Sequence, residues 1–188
     1  MDVVETGERV YLARPQARDE AEFFKLIRAS ADFLRPWEPL PPPGLKQDSP
    51  ERFRMLLQQG GGDDHAKFFI RLHRNDALAG MINLNNIVLG VFQSGALGYW
   101  MGEPHARQGY MGEALQLMLR HAFETLGLHR VEANLMPHNT ASRALVRRAG
   151  FRQEGLSPRM IKIAGEWRDH ERWALLVDEW SPANRPSA

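Results

Sequence analysis

Two strand-to-helix junctions in this chain carry side chains and bare backbone that suit an extended anionic ligand. The first, HARQGYMGEAL at residues 105–115, sets Gly109 and Gly112 at the start of an apolar helical run, with Arg107 and Gln108 beside them. Amides at a helix start carry partial positive charge, and glycine removes the side chains that would hold a phosphate away from them. Short glycine turns also serve as plain connectors, and spacing alone leaves both readings open. The stretch is neither a Walker loop, since no Gly-Lys-Ser/Thr follows, nor a dinucleotide fingerprint, which needs a third glycine. The second junction lies in ANLMPHNTASRALVRRAGF, residues 133–151, where Asn139 opens a helix and Ser142 sits in its first turn. Asn139 is explained by N-capping alone. Two polar junctions at one sheet edge say more, because ligands bind at such edges.

The elements that must position these residues follow from periodicity and punctuation. ERVYLA (8–13) alternates as a strand. Asp19 with Glu22 resembles a capping box before a helix whose face carries Phe23, Ile27, Ala31 and Leu34. The prolines of 35–44 impose an irregular loop. Ser49-Pro50 starts a second helix with Phe53, Leu56 and Leu57 inward and Gly60 to Gly62 as its stop. KFFIRL (67–72), AGMINLNNIVL (79–89) and GALGYWM (95–101) read as antiparallel strands. Leu115, Met118, Leu119, Ala122 and Leu126 then share one helical face that ends at Gly127. A strand at 130–136, a helix at 139–149 and a closing pair, RMIKIA and ERWALLV, complete the chain. This order predicts an α+β fold, a mixed and mostly antiparallel sheet with helices on both faces, as a single domain over 1–180 with a disordered tail at 181–188.

Composition narrows the function. In 188 residues, 24 Lys plus Arg stand against 23 Asp plus Glu, so the net charge of +1 offers no broad field for nucleic acid or an acidic membrane. Direct nucleic-acid binding and membrane insertion are not expected. The absence of cysteine removes disulfides and thiolate nucleophiles, and with no secretory signal a cytoplasmic location is expected. The seven histidines show no metal spacing, so no metal is expected; His105 and His138 fall near the two junctions, and His121 is expected to be exposed. Trp100, Trp167, Trp173 and Trp180 read as core or edge packing.

Six ordered blocks carry a resemblance: FLRPWEP (33–39), GALGYWMGE (95–103), GYMGEAL (109–115), ANLMPHN (133–139), AGFRQEG (149–155) and GEWRDH (165–170). With them the chain resembles the GNAT N-acetyltransferase superfamily, in particular its RimJ/RimL-like branch of ribosomal protein alanine N-acetyltransferases. The resemblance implies a three-layer α/β/α fold and acetyl coenzyme A as co-substrate. It places the pyrophosphate at the first junction and the pantetheine arm near Asn139. Met101, Gly102, Arg107, Gln108, Gly109, Tyr110, Met111, Gly112 and Asn139 are then the cofactor-binding residues. Two departures stand out. The signature of Gln or Arg, two residues, Gly, one residue, then Gly or Ala has Ala106 first and Met111 last here, which displaces Arg107 by one position and leaves the last close approach to Gly112. The tyrosine that many members place at the position of Val146 is absent, and in this branch the serine at Ser142 is the candidate in its stead.

The chemistry so implied is direct attack of an amine on a thioester. An N-terminal amine, with a pKa of about 8 against about 10.4 for lysine, needs little help to lose its proton. Glu38, Glu103 or Glu132 acting through water would suffice. Glu38 and Trp37 either touch the acceptor or only pack their loop; with Tyr99 they are the candidate substrate contacts. An N–H near Met101 or Gly102 would stabilise the tetrahedral oxyanion, and Ser142 with Asn139 would position the thioester and assist departure of the thiolate. The expected activity is acetylation of a protein N-terminus, that of a ribosomal protein, with a homodimer compatible. The alternatives are a small-molecule amine as acceptor, or a non-catalytic module that binds an acyl coenzyme A.

Overall fold

The computed structural model describes residues 2–42, 44–59 and 64–180. The expected glycine stop at 60–62 and the tail at 181–188 lie outside these residues. One eight-stranded sheet in the order β1-β2-β3-β4-β5-β6-β8-β7 forms the middle layer. Its strands are β1 (Val3–Thr6), β2 (Val10–Ala13), β3 (Ala66–Leu72), β4 (Leu78–Val88), β5 (Ser94–Met101), β6 (Arg130–Leu135), β7 (Arg152–Ile163) and β8 (Glu166–Leu176). All neighbours pair antiparallel except β5 and β6. The fold is α+β, as the order of elements predicts. Strand β1, absent from the sequence reading, adds an edge, and the closing hairpin is longer than its two apolar runs suggest.

Helices α1 (Glu20–Ala29), the one-turn α2 (Ala31–Leu34) and α3 (Pro50–Gln59) contribute to one apolar layer, in which Phe23, Phe24 and Phe53 meet Phe69 and Leu78 of the sheet. On the other face, α4 (Tyr110–Arg120) and α5 (Thr140–Arg148) press Ala114, Leu115, Met118 and Val146 against Leu12, Ile70, Ile82, Leu84 and Val131. Strand β3 is buried along its whole length, as its central FFI run suits in a strand covered on both faces.

Several local expectations are corrected. The capping box is Gln16 with Asp19, not Asp19 with Glu22: the Gln16 N–H donates to Asp19 Oδ2 at 2.8 Å. Asp19 and Glu22 turn instead to Arg71, whose Nη2 donates to Asp19 Oδ1 at 2.9 Å and to Glu22 Oε2 at 3.0 Å. Ala31 lies beyond the end of α1 and is exposed, because the chain breaks at Ser30 before continuing. The long helix starts at Tyr110, and beyond Arg120 widens into a π turn over His121–Thr125. His121, which follows Leu117 and Met118 on the buried row of α4, is only 4% exposed: it stands edge-on to Phe68 with Nδ1 3.7 Å from Glu5, and is not the exposed residue expected. Trp167, expected in packing, is 60% exposed near the turn of the β7–β8 hairpin.

Candidate acetyl-transfer site

The site begins where β5 and β6 part. Their parallel pairing runs from Ser94 opposite Arg130 to Leu97 opposite Ala133 and stops there, though both strands continue. Beyond it β5 bonds only to β4, so backbone groups on its other side face a gap. The Gly102 N–H donates to Ala79 O at 2.8 Å, and Met101 is the opposite number of Gly80. Donors alternate in direction along an antiparallel ladder, so the Met101 N–H points into the gap. This corrects one expectation: of the two oxyanion donors considered, Gly102 is already engaged and Met101 is the one that faces the gap. Gly102 has a different requirement. A Cβ there would stand 2.4 Å from Leu26 Cδ1, so its bareness admits α1.

At the first junction, Gly102 leads into a short turn over Glu103–His105, held by the Glu103 N–H donating to Ser30 Oγ at 3.0 Å. Arg107 (φ +61°) and Gly109 (φ +83°) both adopt the left-handed conformation, and Gly109 is the N-cap of α4. Alternation of this kind curls successive N–H groups into a concave anion cradle. Arg107 is exposed and makes no ion pair among the described residues. The Gln108 side chain is not an outward donor, because its Nε2 donates to the Pro104 carbonyl at 3.0 Å. Tyr110 and Met111 turn their side chains to the core and offer backbone only. The close approach expected of Gly112 is not needed for packing, since a Cβ there meets nothing nearer than Leu145 Cδ1 at 4.0 Å. The position that needs glycine is 109, where any side chain would be forced into the left-handed conformation.

The second junction follows β6. Asn139 caps α5 as its residue type predicts, accepting the Ser142 N–H at Oδ1 over 3.1 Å. No hydrogen bond among the described residues engages its Nδ2. From β5, the Tyr99 hydroxyl reaches toward Ser142; it is buried and forms no bond of good geometry. Burial pushes its pKa up to about 12, the proximity of Ser142 opposing the shift, so Tyr99 stays protonated. Val146, where a tyrosine would stand in many relatives, is fully buried.

The acceptor side is made by the proline-rich loop. The Trp37 ring lies 5.5 Å from that of His138, beside Asn139, which brings this loop to the second junction. The Ala164 N–H, in the β7–β8 turn, donates to the Glu38 carbonyl at 3.1 Å and pins loop and hairpin together. Burial raises the Glu38 pKa, with Arg52 nearby opposing the rise, and Gln47 Nε2 donates to its Oε2 at 3.2 Å. The other two carboxylates fall away as bases. Glu132 is paired with Arg130 at 2.7 Å, and Glu103 is exposed on the turn leading to the first junction. Burial lowers the His105 pKa, with Arg74 acting in the same direction and Glu22 opposing. Gln47 and Arg52 escaped the sequence reading, and nothing in their spacing marks them.

An unpaired strand gap, an anion cradle at one end and a capped polar helix start at the other suit a long phosphorylated thioester carrier. The GNAT acetyltransferase domain matches residues 9–152, and the chain belongs to that family. It is an N-acetyltransferase that uses acetyl coenzyme A. The [ribosomal protein uS5]-alanine N-acetyltransferase of Escherichia coli K12 is 32% identical over 179 residues, covering 94% of this chain and 92% of that one. The Bacillus subtilis protein named Probable N-acetyltransferase YjcK is 31% identical over 172 residues, 90% of this chain and 95% of that one. Mycobacterium smegmatis RimJ, solved with CoA-disulfide, superposes with a TM-score of 0.80 at 30% identity, covering 95% of this chain and 85% of that chain. No helix of the described residues is long and apolar enough to cross a membrane, and no group of three or more candidate metal ligands occurs among them.

Proposed function

We propose that the protein acetylates the N-terminal α-amine of a ribosomal protein. The observation that carries this reading is the loop beside the second junction: the half-buried Glu38 sits between Trp37 and Leu40, 36% and 62% exposed, and the hairpin pinned to this loop carries Trp167, 60% exposed. An exposed apolar rim around one carboxylate suits an extended peptide end better than a small polyamine, which calls for several carboxylates. Whole-length similarity to the uS5-alanine enzyme supports the acceptor class.

In this reading the amine attacks the thioester carbonyl while Glu38, through water, takes its proton. The Met101 N–H stabilises the oxyanion. The C–S bond then breaks, and the departing sulfur takes a proton from Ser142, which Asn139 holds in place and Tyr99 adjoins. Ser142 recovers a proton from water, and Glu38 releases its own. Free thiol and amide are the products.

The test incubates the protein with acetyl coenzyme A and Ala- or Ser-initiated peptides, the same peptides blocked at the N-terminus but carrying lysine, and small polyamines, and follows free thiol. Thiol release with the open peptides alone supports the proposal. Release with the blocked peptides or the polyamines overturns the α-amine assignment. Persistent thioester with every acceptor, despite cofactor binding, indicates a non-catalytic module.

A further inference from the structure

Arg9 lies about a hundred residues from the first junction, yet it contacts that loop from behind. Glu113 Oε1, in the first turn of α4, accepts the N–H groups of Arg9 (2.7 Å) and Val10 (3.2 Å), and its Oε2 accepts Arg9 Nε at 3.0 Å. So anchored, Arg9 Nη1 donates to the Gln108 carbonyl at 3.1 Å, and the guanidinium carbon stands 5.2 Å from the centre of the Tyr110 ring. A Cβ on Gly109 would come within 3.2 Å of Arg9 Nη2.

No cis peptide bond occurs among the described residues, so the Gln108 carbonyl and the Gly109 N–H point in opposite directions. Fixing the carbonyl on Arg9 therefore turns the Gly109 N–H away from Arg9. With glycine on its C-terminal side, where φ turns freely, this peptide plane can turn over at low cost. Turned over, it would present a carbonyl oxygen to an incoming phosphate. We infer that Arg9 is a positioning residue for acetyl coenzyme A: by holding the Gln108 carbonyl it keeps the Gly109 amide aimed at the diphosphate, and it brings to the loop a cation that the signature position, here Ala106, lacks. The inference rests on the diphosphate lying at residues 106–112.

Steady-state kinetics and calorimetry with coenzyme A test it. Arg9→Ala is expected to raise the KM for acetyl coenzyme A and the Kd for coenzyme A ten- to a hundredfold, the range of one charge-assisted hydrogen bond, with kcat at saturation within about twofold. Arg9→Lys, with one donor group for two acceptors, should fall between. An unchanged Kd, or a fall in kcat at constant KM, overturns the inference. Should Arg9→Ala fail to fold, Arg9→Lys is judged by the same split. A parent protein that binds coenzyme A but acetylates no peptide N-terminus would sink the acceptor proposal and leave this one standing on the calorimetry.

Discussion

Tyr99→Phe separates catalysis from stability at a single oxygen atom. The Tyr99 hydroxyl is buried with no bond of good geometry, and its polar neighbour is Ser142. A buried polar group left unsatisfied costs about 1 to 3 kcal/mol, and phenylalanine fills nearly the same space, so the change should stabilise the fold by about 1 kcal/mol. For a domain of this size that is a rise of roughly 2 to 4 °C in Tm. If the hydroxyl also orients Ser142 toward the departing sulfur, turnover should fall about tenfold, or about 1.4 kcal/mol of barrier. Because the tyrosine titrates only at about 12, both effects should be flat from pH 6 to pH 9. Scanning calorimetry and kcat at saturating acetyl coenzyme A and peptide read the two. A lower Tm with unchanged kcat would refute the reasoning and make Tyr99 a packing residue.

Three further outcomes follow. Ser142→Ala should lower kcat by roughly a hundredfold at unchanged Kd for coenzyme A; turnover within a few-fold of the parent removes Ser142 from the mechanism. Glu38→Gln should abolish the acidic limb of the pH–rate profile. Since burial raises this carboxyl in the folded state, folding favours its protonated form, and that stabilisation is lost as pH rises through the raised value. The variant should therefore be the more stable protein at neutral pH, with the gap in urea midpoint closing on acidification. Arg71→Met leaves Asp19, 10% exposed at its side chain, without its cation, and should cost about 3 to 5 kcal/mol in urea unfolding; a loss below 1 kcal/mol would show the network to be dispensable.

Local rules reached far in this chain. The alternating and 3.6-residue patterns place α1, α4, α5 and the central strands, and the Asn139 cap follows from residue type. What escaped them is non-local. Asp19 leaves Glu22 out of its capping box because Arg71, 52 residues away, offers both carboxylates a buried cation. His121 is the exception, a local miss: it lies seven, four and three residues after Ala114, Leu117 and Met118, all buried, and its polar type masked that row. The choice between Met101 and Gly102 depends on the pairing phase of β4 and β5, which no spacing reveals. Arg9 reads as a strand residue, and only the packed fold shows that its side chain reaches the carbonyl of Gln108.

The short seam between β5 and β6 has a mechanical consequence. Within the sheet, the ladder between the leaf of β1 to β5 and the leaf of β6, β8 and β7 is four residue pairs long, Ser94 with Arg130 through Leu97 with Ala133. A pantetheine chain laid into the open end would act as a substitute strand, bridging both leaves. Empty enzyme should then breathe about this hinge, and cargo should slow amide exchange through the smaller leaf as far as β7, two strands beyond the gap.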